Sequence, residues 1–202
     1  MKLKNDKDLS ISTKIAQALH FSDPETGSVV PSIDHSATYS RDENYEPRQA
    51  YWYRRDGNKT TQLAEEIISE LENANASLLF SSGMSACTAV LEMLPAEAHI
   101  AVPRVMYHGV LGQIQNFASK NRIRVDYYEA GDLASMESII KNGVTQLVWV
   151  ETPNNPDWAV TDIRKAADIA HKHNAKLLTD CTGTPPCATR ALNFGADISM
   201  HS

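Results

Sequence analysis

Three polar segments of this chain each follow a short apolar run. Ser82-Gly83-Met84 follows Ser77 to Phe80, Glu151 follows Gln146 to Val150, and Asp180 closes Leu177-Leu178-Thr179. Open parallel sheets bind ligands beyond the carboxyl ends of their strands, so these segments are expected on one rim. Ser82-Gly83-Met84 stands between a strand pattern and a helix pattern. Its glycine allows close backbone approach to a ligand, and the free amides of a helix start favour an anion such as phosphate. The same residues also suit a plain strand-to-helix turn with Ser82 as N-cap. Asp180, a carboxylate at a buried strand end, needs a partner, and a pyridinium N–H, an arginine or a turn amide would each serve. Glu151-Thr152-Pro153-Asn154-Asn155-Pro156 is a loop stiffened by two prolines, either to hold groups at the rim or to reverse the chain.

Other chemistries find less support. Neither G-x-G-x-x-G nor G-x-x-x-x-G-K-[ST] occurs, which argues against the two commonest nucleotide loops and leaves a dinucleotide-binding domain a minor alternative. His171 and His173 are two apart in a helical pattern, so they face different ways and are read as exposed, poor metal ligands. His108, beside Tyr107, is read as the histidine near the rim. Cys87, Cys181 and Cys187 lack zinc-site spacing. No metal site is expected.

The elements that must position these groups alternate. Helix patterns at Thr13 to Leu19, Thr60 to Asn73, Met84 to Leu94, His108 to Lys120, Asp132 to Lys141, Asp162 to His173 and, weakly, Thr189 to Phe194 interleave with strand patterns. The strand patterns are Ser77 to Phe80, His99 to Pro103, Ile123 to Tyr128, Gln146 to Val150, Lys176 to Thr179 and Asp197 to Met200. Leu63, Ile67 and Leu71 form the apolar stripe of the second helix. The alternation predicts an α/β fold, a mostly parallel sheet with helices on both faces. Residues 1–50 are irregular and proline-marked, and predict an extended N-terminal arm, with the α/β domain running over 51–202.

The 202 residues are 42% hydrophobic and 22% charged, an ordinary globular composition. A net charge of −6 disfavours nucleic acid and anionic membrane as partners. The locally charged segments 1–8, 41–48 and 54–59 read as solvated surface. Three cysteines without framework spacing fit a reducing compartment, the start lacks an apolar signal region, and no apolar run approaches a membrane span. A cytoplasmic location is expected.

Seven segments, in order, resemble the Cys/Met-metabolism (trans-sulfuration) enzymes that use pyridoxal 5′-phosphate (PLP). They are Gly27 with Pro31-Ser32-Ile33 and Ser36-Ala37-Thr38-Tyr39; Tyr53-Arg54-Arg55-Asp56-Gly57-Asn58; Ser82-Gly83-Met84-Ser85-Ala86; Tyr107-His108-Gly109; Glu151 to Pro156; Asp180-Cys181-Thr182-Gly183-Thr184-Pro185; and Gly195 to Ser202. Each is weak alone, and the set is specific.

The resemblance implies the aspartate-aminotransferase-like large domain and a cystathionine γ-synthase or γ-lyase type of activity. The substrate would be a sulfur amino acid or an O-acylhomoserine. It implies a homo-oligomer, a tetramer built from dimers with shared sites, in which Tyr53 and Arg55 reach a neighbour's cofactor phosphate. Ser82, Gly83, Met84 and Ser202 would hold phosphate within the subunit. Tyr107 would stack on the ring and move protons, Glu151 and Asn155 would line the site near the phenolic oxygen, and Asp180 would pair with the ring nitrogen beside Thr182. In the family a lysine that bonds the cofactor follows shortly after the serine matched by Ser202. No lysine of this chain stands at that position, so the chain reads as the N-terminal half of such an enzyme or, alternatively, as a non-catalytic PLP-binding or scaffolding subunit. Lys59 replaces the family's proline after Gly-Asn, and Arg54 stands where a small residue is common. Gly109 stands where methionine γ-lyase has cysteine, which counts against that member.

Overall fold

The structure is a computed structural model that describes residues 9–19, 21–48 and 50–202; the charged segment 1–8 lies outside them. The chain divides after Leu79 into two units.

In the first unit, α1 (Ile11–Ala16) starts where the Ser10 hydroxyl accepts the Thr13 amide. α2 (Lys59–Glu72) starts where Asn58 Oδ1 accepts the Thr61 amide at 2.8 Å. It ends at Asn73, whose φ of 57° turns the chain out of the helix. Both ends thus follow the usual preference for a polar N-cap and a left-handed residue after the last turn. Asn58 is buried although its charged neighbours are exposed. Residues 21–48 and 50–58 are irregular, with isolated antiparallel bridges pairing Thr38 with Tyr53 and Arg41 with Pro47. The strand predicted at Ser77 to Phe80 does not form. Leu78 is 74% exposed, the Leu79 amide goes to Glu65 Oε1 at 3.0 Å, and no ladder is made. An apolar run becomes a strand only when a neighbour takes its backbone groups.

The second unit, Phe80–Ser202, interleaves five strands and four helices. In chain order they are α3 (Gly83–Met93), β1 (Ala98–Pro103), α4 (His108–Ser119), β2 (Ile123–Tyr128), α5 (Leu133–Ile139), β3 (Thr145–Glu151), α6 (Ile163–Lys172), β4 (Lys176–Asp180), a 3-10 turn at Ala191–Phe194, and β5 (Ile198–Met200). All pairings are parallel, in the order β2-β1-β3-β4-β5.

Alternation along the strands sends side chains to two cores, which is why both faces need helices. Ile100, Val102, Leu147, Trp149 and Leu178 pack with Cys87 and Leu91 of α3 and Val110, Ile114 and Phe117 of α4. Ala101, Val148, Val150 and Leu177 pack with Met136 of α5 and Ala166, Ala167 and Ala170 of α6. Each large side chain removed from water stabilises the fold by about 1.5–3 kcal/mol.

The strand order also fixes where a site can open. From β1 the chain steps outward to β2, then returns past β1 to β3 and continues to β4 and β5. Loops leaving β1 and β3 therefore part in opposite directions, and the crevice at their carboxyl ends is the place where open α/β sheets bind ligands.

Candidate active site

A cavity of about 610 Å³ opens at this crevice. Ser82, Gly83, Met84, Tyr107, Glu151, Asn155, Asp180, Thr182 and Ser202 all line it. The first segment reaches the rim without the strand predicted to lead into it.

The start of α3 forms one wall. Ser82 caps it, its hydroxyl accepting the Ser85 amide at 3.1 Å. The amides of Gly83 and Met84 find no acceptor among the described residues. Ser202 comes so near that a Cβ on Gly83 would lie 2.2 Å from the Ser202 hydroxyl oxygen, so glycine is required by proximity rather than by its dihedral angles. The result is two amides and two serine side chains gathered at the positive end of a helix.

Asp180 ends β4 and is 5% exposed. Its Oδ1 accepts the Thr182 amide at 3.0 Å and the Thr182 hydroxyl at 2.7 Å. Asp180 therefore does cap a turn, but with one oxygen; Oδ2 takes no hydrogen bond from the described residues. Burial pushes its carboxyl above the usual range, against the pull of Thr182 and of the nearby His201.

Glu151 pairs in register with Asp180 across β3 and β4. Its Oε2 accepts the Tyr107 amide at 2.7 Å and its Oε1 accepts the Asn155 amide at 3.0 Å. This carboxylate clamps the loops leaving β1 and β3 across the crevice. Burial raises its pKa, the two amides lower it, and the charge of Asp180 raises it further. Tyr107 itself is 37% exposed, with its ring 4.8 Å from that of His108. Gly109 makes room for it: a Cβ there would lie 2.7 Å from Tyr107 Cε1 and 3.2 Å from Met84 Sδ.

Tyr53 and Arg55 belong to the unit that ends at Leu79. Both are exposed, and the Arg55 guanidinium lies 5.4 Å from the centre of the Tyr53 ring.

Sequence reasoning missed three residues. Asn154, 1% exposed, organises the loop after β3; Trp158 lines the cavity; and His201, whose Nδ1 is 3.2 Å from the Cys181 carbonyl, is a second histidine near the rim. An aromatic just beyond a proline-stiffened strand end was the available signal for Trp158. His173 is half-buried rather than exposed because it closes α6, its amide reaching back to Ala170. His171 is exposed and pairs with Asp197 at 2.8 Å. Among the described residues no cluster of His, Cys, Asp or Glu could hold a metal. Burial pushes the Cys87 thiol up to about 12, so it is unreactive packing under α3.

Residues 12–202 match the family described as Cys/Met metabolism PLP-dependent enzyme. The chain belongs to that family. Over 198 residues, 98% of this chain and 44% of the relative, it is 37% identical to the chloroplastic mimosinase of Leucaena leucocephala. It is 35% identical to cystathionine gamma-lyase of Saccharomyces cerevisiae over 181 residues, 87% of this chain and 45% of that protein. The crystal structure of metB from Corynebacterium glutamicum superposes with a TM-score of 0.91 at 30% identity, over 98% of this chain and 51% of that one. Cystathionine gamma synthase from Xanthomonas oryzae pv. oryzae, in complex with aminoacrylate and cysteine, gives 0.87 at 29% identity, over 96% and 50%. The chain spans about half the length of the curated relatives it matches. These neighbours confirm the expected aminotransferase-like fold.

The residues present fit the family's cofactor. Asp180, a buried residue lining the cavity, offers a carboxylate oxygen without a partner among the described residues, which suits a pyridinium N–H. Gly83 and Met84 offer amides and Ser82 and Ser202 offer hydroxyls, which suit a phosphate.

Proposed function

We propose that the protein carrying this chain is a PLP-dependent enzyme that breaks or exchanges the bond at the γ carbon of a sulfur amino acid or an O-acylhomoserine. The reaction is γ-elimination or γ-replacement, of the cystathionine γ-lyase or γ-synthase type. The observation that supports it is the crevice between β1 and β3, where a buried carboxylate and a helix start meet on one cavity. PLP, when bound, accepts the electron pair left at the substrate's Cα.

The chain's own residues supply the rest. Asp180, as the anion, holds a proton on the ring nitrogen. Gly83, Met84, Ser82 and Ser202 anchor the phosphate. Tyr107, held by Glu151 through its amide, places an aromatic face and a hydroxyl at the crevice, where the hydroxyl moves a proton at the substrate. Asn155 is held beside it by the same carboxylate.

In this reading Tyr53 and Arg55 serve the site of a neighbouring copy in a homo-oligomer, a tetramer built from dimers. Their exposure and the flat guanidinium fork of Arg55 support a role toward a phosphate. The location is cytoplasmic; among the described residues no helix is long and apolar enough to cross a membrane.

The test is product analysis on the full protein with PLP. L-cystathionine with water should yield cysteine, ammonia and 2-oxobutanoate, or an O-acylhomoserine with cysteine should yield cystathionine and the free acid. Homocysteine, ammonia and pyruvate from cystathionine would overturn the γ assignment, and no product from either substrate would overturn the activity.

A further inference from the structure

The loop after β3 carries an aromatic side chain that the reading above leaves unused. Asn154 closes this loop on itself. Its amide donates to the Ala159 carbonyl at 3.0 Å, its Oδ1 accepts the Ala159 amide at 2.9 Å, and its carbonyl accepts the Trp158 amide at 2.8 Å. Its Nδ2 donates to the Val105 carbonyl at 3.0 Å, which ties the loop to the segment after β1. The closure holds Trp158 at φ 58°, a left-handed conformation that bulky side chains rarely take. Such conformations persist where surrounding contacts over-determine them, and they cluster at ligand contacts.

Trp158 is 71% exposed and packs in neither core, yet it lines the same cavity as Tyr107, Asp180 and Ser202. Met84, Val110 and Met200 add apolar lining. Asp180 suits the nitrogen end of the cofactor, and the α3 start with Ser202 suits its phosphate. An indole offers no charge and no acceptor, only an apolar face and one N–H. What remains for it to meet is the apolar part of the substrate.

We propose that Trp158 is a specificity-determining residue that stacks against a planar, apolar substituent on the side chain of the amino-acid substrate. Among sulfur amino acids and O-acylhomoserines, the enzyme then favours those whose γ substituent carries an aryl group over those with an alkyl group of similar length. The inference rests on the cavity being the amino-acid site of a PLP enzyme.

The test uses the full-length protein loaded with PLP and two amino acids that lack a leaving group, L-homophenylalanine and L-norleucine. Their inhibition constants are measured for the wild type, Trp158→Phe and Trp158→Leu. The wild type should bind homophenylalanine about 3–10-fold more tightly than norleucine, the range that aromatic stacking supplies beyond area burial. Trp158→Phe should keep most of that preference. Trp158→Leu should bring the ratio close to one, chiefly by weakening the binding of homophenylalanine. A ratio that survives in Trp158→Leu overturns the proposal, as does a change in oligomer mass without a change in the ratio. Protein that shows bound-cofactor absorbance but equal affinity for both ligands defeats this proposal alone. Protein that retains no cofactor defeats the functional reading and the proposal with it.

Discussion

The Thr182 hydroxyl donates to Asp180 Oδ1 at 2.7 Å and accepts the Ser202 amide at 3.1 Å. One oxygen thus links the carboxylate that ends β4 to the serine that follows β5, and so joins the two ends of the proposed cofactor site.

Replacing Thr182 by valine should loosen both ends. Asp180 Oδ1 would keep the backbone amide of residue 182 but lose the hydroxyl, and the Ser202 amide would lose its acceptor. A hydrogen bond to a charged group is worth about 1.5–3 kcal/mol. PLP affinity, measured by equilibrium dialysis, should fall roughly tenfold or more, given tenfold per about 1.4 kcal/mol. Thr182→Ser keeps the hydroxyl and should stay within a few-fold of wild type. Equal loss in both variants would mean that the methyl group, not the hydroxyl, matters.

Asp180 should make the cofactor-free protein less stable as pH rises. Its carboxyl is raised above the ordinary value of 3.8, chiefly by burial. The favourable contribution is present in full below that ordinary value and is lost as pH rises through the raised one. Asp180→Asn removes the loss, so the cofactor-free variant should melt above wild type at pH 8, and the gap should shrink toward pH 4. A gain of about 1 kcal/mol would shift the midpoint by roughly 2–4 °C for a domain of this size. The same variant should bind PLP more weakly. A cofactor-free variant that melts below wild type at pH 8 would contradict the account.

Glu151 should behave as a positioning residue. Its two oxygens each accept a backbone amide, from Tyr107 and from Asn155. Glutamine keeps the shape but turns an NH₂ toward one of those donors, leaving an amide unpaired at a cost of about 1–3 kcal/mol. Glu151→Gln should lower kcat through misplaced Tyr107 while leaving the pH profile of the reaction in place. A displaced pH profile would instead make Glu151 a proton-transfer group.

A network around the buried His99, at the other end of the strands, should govern acid stability. His99, 2% exposed, reaches Thr145 Oγ1 at 2.8 Å and Asp126 Oδ2 at 3.0 Å, and Lys141 reaches the same aspartate oxygen at 2.6 Å. Burial first, and Lys141 among its neighbours, lower the His99 pKa below its ordinary 6.5 against the pull of Asp126, while Lys141 and His99 hold Asp126 low. A lowered histidine contributes stability above pH 6.5 and loses it as pH falls toward its folded value; the lowered aspartate loses its share at still lower pH. Denaturation at pH 7 and pH 5 should show wild type losing stability on acidification. His99→Gln should be less stable at pH 7 but show a flatter dependence, whereas an equal slope in both would place the sensitivity elsewhere.

The sheet was legible because its strands carry continuous apolar runs between amphipathic helices, a pattern that parallel sheets require on both faces. The rim was legible because Glu151 and Asp180 stand at strand ends. Ser77 to Phe80 misled because strand character belongs to a pair, and Glu65 rather than a neighbouring strand takes the Leu79 amide. Asn154, Trp158 and His201 stayed hidden for a related reason. Asn154 and His201 hydrogen-bond to Val105 and Cys181, far away in the sequence, and Trp158 is turned by the loop that Asn154 closes.

The central claim is that Asp180 keeps the ring nitrogen of PLP protonated in this cavity. It is tested most directly by the ¹⁵N chemical shift of ring-labelled PLP bound to the full-length protein. The shift should be that of a protonated pyridine nitrogen in wild type across the neutral range, and that of an unprotonated one in Asp180→Ala. An unprotonated nitrogen in wild type, or the same shift in both proteins, would contradict it.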